Sequence, residues 1–294
     1  MHRFLQILIM SSALLVAAGP AGAEEFAYDV VIRNGRLLDG LGNPWLRGCI
    51  AVKDGRIAAL GHCEGNGRRE IDAHDRYVSP GLIDLMDQSG EVLQRSGLAE
   101  NKLLQGVTSA IAGEGGTPVP AAEIDAYFRR LEKSGISLNF GTYYSSAQAR
   151  VAVMGDGAGT PTQAQLEKMK ELVATAMRAG AVGIATALIY PPDSFQSTQD
   201  LVELAKVAAQ YDGIYASHMR DESAGLLTAI GESIQIGAQA GIQVEVFHFK
   251  GAYQPGWGQL VPQALTLIDG ARARGVNIAA DMTRAPHRTR RAAV

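Results

Sequence analysis

Two rhythms of apolar and polar residues divide the chain. From Tyr28 to about Tyr77, short strand-like runs (Tyr28 to Arg33, Gly48 to Lys53, Arg56 to Gly61) are punctuated by Asn-Gly, Asp-Gly and Gly-Asn pairs, the pattern of strands joined by tight turns. This predicts a small antiparallel β domain over residues 24–77. From Val78 onward, short apolar runs alternate with longer amphipathic segments. The predicted strands are Val78 to Leu85, Gly106 to Ala112, Ile136 to Tyr143, Ala181 to Ala187, Gly213 to Ser217, Gln243 to Phe249 and Val276 to Asp281. Between them, Thr162 to Ala179 places Leu166, Met169, Leu172, Val173 and Ala176 on one helical face and stops at Gly180. Ser197 to Gln210 opens with Ser-x-x-Asp, a capping-box-like entry, and Ser223 to Ala240 ends at Gly241. Repeated strand–helix units make a parallel α/β fold. Seven strands in series favour an incomplete (β/α)8 TIM-like barrel over residues 78–282 rather than an open sheet.

The two ends break this rhythm. Met1-His2-Arg3 is basic, Phe4 to Ala18 is almost wholly apolar, and Ala21-Gly22-Ala23 supplies small residues, which together read as a secretory signal peptide cleaved after Ala23. The apolar run is shorter than the roughly 20 residues a membrane span needs, so an exported protein, periplasmic or secreted, is expected. At the other end, residues 283–294 carry no acidic residue and no apolar periodicity, a basic tail that does not read as packed structure.

Composition narrows the class. With 27 Lys and Arg against 30 Asp and Glu in 294 residues, the chain shows no charge excess of the kind that marks a nucleic-acid or membrane-surface partner. Its two cysteines, Cys49 and Cys63, flank the hairpin turn Asp54-Gly55 but are not opposite each other in its register. A disulfide and two separate thiols both remain open.

The chemistry gathers at the predicted strand ends, where barrels of this kind place function. Glu114 follows the second barrel strand, Tyr190 the fourth, His218 ends the fifth, and His248 and Lys250 end the sixth. A lone strand-end histidine is more often a core residue. Two on successive strands point instead to a metal, since neutral imidazoles from neighbouring strands commonly hold zinc with one position open.

From Tyr28 to Met282 the chain resembles the N-acyl-D-amino acid deacylases (D-aminoacylases) of the amidohydrolase superfamily. The resemblance rests on Tyr28 to Arg36, Pro80-Gly81-Leu82-Ile83-Asp84, Gly106-Val107-Thr108, Gly113-Glu114-Gly115-Gly116, Ile189-Tyr190-Pro191-Pro192, Tyr215-Ala216-Ser217-His218-Met219-Arg220-Asp221-Glu222 and His248-Phe249-Lys250. It implies hydrolysis of the linear amide bond of a small-molecule N-acyl-D-amino acid by a zinc-activated water. His218 and His248 match the tight metal site, Tyr190 and Lys250 positions that bind substrate or polarise its carbonyl. Arg220 and Asp221, beside the first histidine, are expected to support the site or contact the substrate carboxylate, with a structural ion pair the alternative.

Three departures from the family pattern qualify this expectation. Strand alternation places Asp84, Met86 and Gln88 on one face, and Met86 and Gln88 stand where the family has His-x-His, so one zinc ion rather than two is expected. Gly115 occupies the position of the family's cysteine ligand, leaving Glu114 as the candidate third ligand. After Ala280-Asp281-Met282 the family continues with Tyr-Pro and a last strand bearing the catalytic Asp. Here Thr283-Arg284 follows, as a single-base frame shift would produce. The expected protein is therefore an impaired, truncated hydrolase. A non-catalytic relative, or a dipeptidase or cyclic-amide hydrolase, are the alternative readings.

Overall fold

The computed structural model describes residues 26–282, so the predicted signal peptide and residues 283–294 lie outside the described residues. The chain divides after Pro80 into two compact units.

The first unit is a five-stranded sheet of β1 (Tyr28–Leu37), β2 (Leu46–Lys53), β3 (Arg56–Gly61), β4 (Gly67–Asp72) and β5 (Tyr77–Val78), ordered β3-β2-β1-β4 with β5 also on β1. The β2–β3 hairpin turns at Asp54-Gly55, both with positive φ (51° and 72°), as a primed two-residue turn requires. Two expectations are corrected. The sheet is mixed rather than antiparallel, because β4 and β5 run parallel to β1. Asn34-Gly35 is a bulge inside β1 rather than a turn, with the pairing register shifting between Ile32 and Gly35. A Cβ on Gly35 would lie 2.8 Å from Val78 Cγ2, so a side chain there would push β5 away.

Cys49 and Cys63 form a disulfide, with Cα atoms 6.1 Å apart. Cys49 pairs with Gly61 across β2–β3, and the chain turns back two residues later to bring Cys63 onto Val31 and Ala51 in the core. Hairpin register alone misses this because the bridge forms beyond the ladder. Thiol titration of the unfolded protein is expected to find no reactive thiol before reduction and two after it. Replacing both cysteines is expected to cost about 3 kcal/mol, the loop-closure value for a crosslink of this span.

The second unit is built from parallel strands and covering helices. β6 (Leu82–Asp87), β7 (Val107–Ala112) and β8 (Asn139–Thr142) form one parallel sheet. β9 (Tyr144–Ser145), β10 (Gly183–Ala187), β11 (Ile214–His218), β12 (Gln243–Val246) and β13 (Ile278–Ala280) form a second, in order β13-β12-β11-β10-β9. Only Tyr143 separates β8 from β9. Its N–H donates to Ala112 (2.7 Å), while Val182 N–H donates to Thr142 (2.9 Å), so the two sheets meet at this residue.

The helices are α1 (Glu100–Leu103), α2 (Ile124–Ser134), α3 (Ser146–Met154), α4 (Gln163–Arg178), α5 (Thr198–Ala209), α6 (Leu226–Ala240) and α7 (Leu260–Ala273). Capping boxes at Thr162/Gln165 and Ser197/Asp200 open α4 and α5. Gly241, left-handed at φ 64°, closes α6. The strands bury both faces, as parallel sheets do. Ile184, Tyr215 and Val244 join the large helix-side cluster. Ala185, Ala216 and Phe247 pack with Tyr143 on the other face.

β6 departs from simple alternation. Its register with β7 shifts between Asp84 and Asp87, and this bulge brings both carboxylates onto the Lys102 ammonium. Leu85 and Met86, in turn, both pack on the Tyr143 cluster. The expected common face of Asp84, Met86 and Gln88 is therefore lost, because the inserted residue changes the strand's phase. Among the described residues no helix is long and apolar enough to cross a membrane.

Candidate metal centre

Three ligand-type side chains converge at the carboxyl ends of the second unit's strands. Gly113 ends β7 at φ +103°, and a Cβ there would lie 2.5 Å from the Tyr143 carbonyl oxygen. Only glycine fits, and the turn it permits presents Glu114. His218 is the last residue of β11. His248, predicted as part of a strand running to Phe249, lies two residues beyond β12 in a left-handed turn (φ 38°). Asp281 accounts for this. Its carboxylate accepts the His248 N–H and its backbone carbonyl accepts the Phe249 N–H, so the ladder breaks to turn the imidazole inward.

One donor atom each from Glu114, His218 and His248 lies within 4.8 Å of the others. His218 Nδ1 is 2.9 Å from Glu114 Oε1 and 3.1 Å from His248 Nε2. A single ring proton cannot serve both neighbours well, and two imidazole lone pairs repel at this distance. A cation among the three removes the conflict, and two nitrogens with one carboxylate oxygen is a donor set that suits zinc. The donors present therefore fit a metal ion.

Glu222, which sequence reasoning passed over, sits behind both imidazoles. Its oxygens lie 2.7 Å from His248 Nδ1 and 3.8 Å from His218 Nε2, and the Lys250 ammonium also contacts it. A carboxylate behind a ligating histidine fixes the ring and raises its basicity. Accordingly, Glu222 holds the His248 imidazole above its ordinary pKa despite burial. Burial pushes Glu222 itself up, but hydrogen bonds from His248 and Lys250 outweigh it and leave the carboxyl below the usual range. The signal was available: Glu222 closes the same block as His218, four residues on. Glu222→Gln is expected to weaken zinc binding by about 10- to 100-fold, measured by competition with a chelator.

The remaining predicted residues divide. Lys250 Nζ lies 3.1 Å from His248 Nδ1, and the exposed Tyr190 ring packs edge-on to His218 with centroids 5.3 Å apart. Both border the cluster. Gln88 donates to Glu114 Oε2 (2.8 Å) and so holds this candidate donor in place.

Arg220 and Asp221 are engaged elsewhere. Arg220 donates to Ser194 and Gln196 carbonyls and pairs bidentately with Glu232, while Asp221 accepts from Ser223 and Gly225 N–H groups. Arg220 thus makes a structural ion pair, and Asp221 caps the turn that follows. Arg220 also clamps the loop carrying Tyr190. Buried Asp193 anchors that loop from within, accepting from Ala187 N–H, Ser146 and Gln196. Burial pushes its pKa up against these donors.

Comparison with known proteins finds relatives over most of the chain. N-acyl-D-glutamate deacylase of Alcaligenes xylosoxydans xylosoxydans is 32% identical over 275 residues, covering 86% of this chain and 56% of the relative. D-aminoacylase of the same organism is 29% identical over 269 residues, covering 84% and 55%. The crystal structure of N-acyl-D-glutamate deacylase from Bordetella bronchiseptica, complexed with zinc and a phosphonate inhibitor, matches with TM-score 0.79 at 32% identity, covering 88% of this chain and 59% of that one. No protein-family model matches the chain. The chain thus spans about half the length of the curated relatives it matches. Over that shared span its homologues, in sequence and in fold, are N-acyl-D-amino acid deacylases (D-aminoacylases).

Proposed function

We propose that this protein hydrolyses the amide bond of N-acyl-D-amino acids with a single zinc ion held by Glu114, His218 and His248. The observation that carries the reading is the convergence of those three donors within 4.8 Å at the strand ends. When bound there, zinc supplies a Lewis acid and makes hydroxide available near neutral pH. The chain's own residues complete the task. Lys250, beside His248, places an ammonium where negative charge would develop on the acyl oxygen. Glu222 holds both imidazoles and that ammonium in one arrangement. Tyr190, on its clamped loop, borders the mouth and contacts the substrate. The parallel strands are read as part of a (β/α)8 barrel, and the protein as exported.

A second reading, a non-catalytic relative that binds a small ligand, is favoured by Met86 and Gln88 in place of His-x-His and by Gln88 being bonded to Glu114. The test is release of free amino acid from N-acetyl-D- and N-acetyl-L-amino acids by the purified, zinc-loaded chain. Release from the D-series alone supports the deacylase. Binding without release selects the second reading.

A further inference from the structure

We propose that the cavity beside Glu114 receives an uncharged, apolar arm of the substrate and disfavours a carboxylate there. This rests on the deacylase reading and concerns which N-acyl-D-amino acids that site accepts. The cavity measures about 770 Å³, within the usual size of small-molecule sites. It lies next to Glu114 through that residue's neighbours: Gly113 and Gly115 on either side of it line the cavity, as does Gln88, whose amide is bonded to Glu114.

Its walls are mostly apolar, with Tyr144, Ala147, Val151 and Ala152 from β9 and α3, Leu172 from α4, and Pro192 from the Tyr190 loop. The polar groups that reach it do not suit an anion. Gln148 is occupied, accepting from Thr117 N–H and donating to the Val119 carbonyl. Asp87 and Glu91 contribute carboxylates, and no lysine or arginine is among the lining residues described. The partly buried Lys102 ammonium is already paired with Asp84 and Asp87. An acidic arm would meet the Glu91 carboxylate and no free cation among those lining residues, which costs binding. An apolar arm would displace water from an apolar wall, which favours it.

The arm could be the amino-acid side chain or the acyl chain, and the substrates separate the two. Binding to the zinc-loaded full chain is measured calorimetrically for N-acetyl-D-alanine, N-acetyl-D-leucine, N-acetyl-D-glutamate and N-hexanoyl-D-alanine. The leucine or the hexanoyl compound is expected to bind about 10-fold tighter than N-acetyl-D-alanine, the gain from burying several methylenes, and whichever gains identifies the arm. The glutamate compound should show no gain. Ala152, exposed on α3 at the cavity wall, offers a filling variant: Ala152→Trp should abolish the gain in a protein whose thermal unfolding is unchanged, and Val151→Trp should do the same. Ala152→Arg should strengthen binding of the glutamate compound. Tighter binding of the glutamate compound than of both apolar ones, or a gain untouched by the tryptophan variants, overturns the inference and leaves the deacylase reading standing. Binding of none of the four overturns that reading, and this inference with it.

Discussion

His248→Ala is expected to weaken zinc binding by more than about 100-fold, and His218→Ala to do the same. Loss of a residue that only orients a ligand already costs about 10- to 100-fold, and removing a ligand leaves a cavity with one fewer donor to hold the ion. Glu114→Ala separates two possibilities. As a ligand it should cost as much as either histidine. As a carboxylate that merely accepts from Gln88 and His218, it should cost only the orienting amount. The measurement is chelator competition on folded protein, with thermal unfolding of the metal-free variants showing that the fold persists. Unchanged zinc affinity in Glu114→Ala would remove it from the ligand set. Unchanged affinity in both histidine variants would remove the site.

The second large effect concerns a carboxyl below the site. Glu245, 4% exposed on β12, is flanked in register by Ala216 and Ala279, neither of which offers it a side-chain partner. Burial pushes its pKa up to about 7, with the neighbouring Asp281 charge acting in the same direction. In the unfolded chain the group returns to its ordinary value near 4.5. Between those values the native state binds more protons than the unfolded state, so stability falls as pH rises from about 4.5 to about 7 and levels off above. The shift converts to a loss on the order of 3 kcal/mol. Glu245→Gln, similar in shape and uncharged, is expected to be more stable than the parent by about 2 to 3 kcal/mol at pH 8 and nearly equal at pH 4. Urea unfolding at the two pH values reads this directly. Equal pH slopes in both proteins would place the dependence elsewhere.

What could be read before the structure follows from the range over which the chain writes its signals. Strand–helix alternation, the Ser197 capping box and the glycine stops are local patterns, so α4, α5 and the parallel strands were legible. His218 and His248 stood out because both fall at or just past strand ends, where a histidine has no packing reason to recur. Contacts between distant segments were not legible. The bulge in β6 shows itself only against β7, and β4 and β5 become strands only once β1 is there to pair with. Asp281 turns His248 inward from another strand, and Asp193 anchors the Tyr190 loop by reaching back to Ser146. Arg220 illustrates a further limit. Its place beside His218 left site support, substrate contact and a structural ion pair open, and only the structure shows its guanidinium bonded to Glu232 and two loop carbonyls.

The separation of the candidate donors along the chain has a consequence for how the proposed ion would be acquired. Glu114 and His218 are 104 residues apart, and His248 takes its inward pose from a residue 33 positions later. No short stretch of polypeptide contains the set, so an unfolded or nascent chain offers single weak donors. Uptake of such an ion would follow the docking of β7, β11, β12 and β13 in that geometry, and the ion would then stabilise only what has already assembled. Metal supply during synthesis would thus act as a late lock on the finished fold, and could not serve as a nucleus for it.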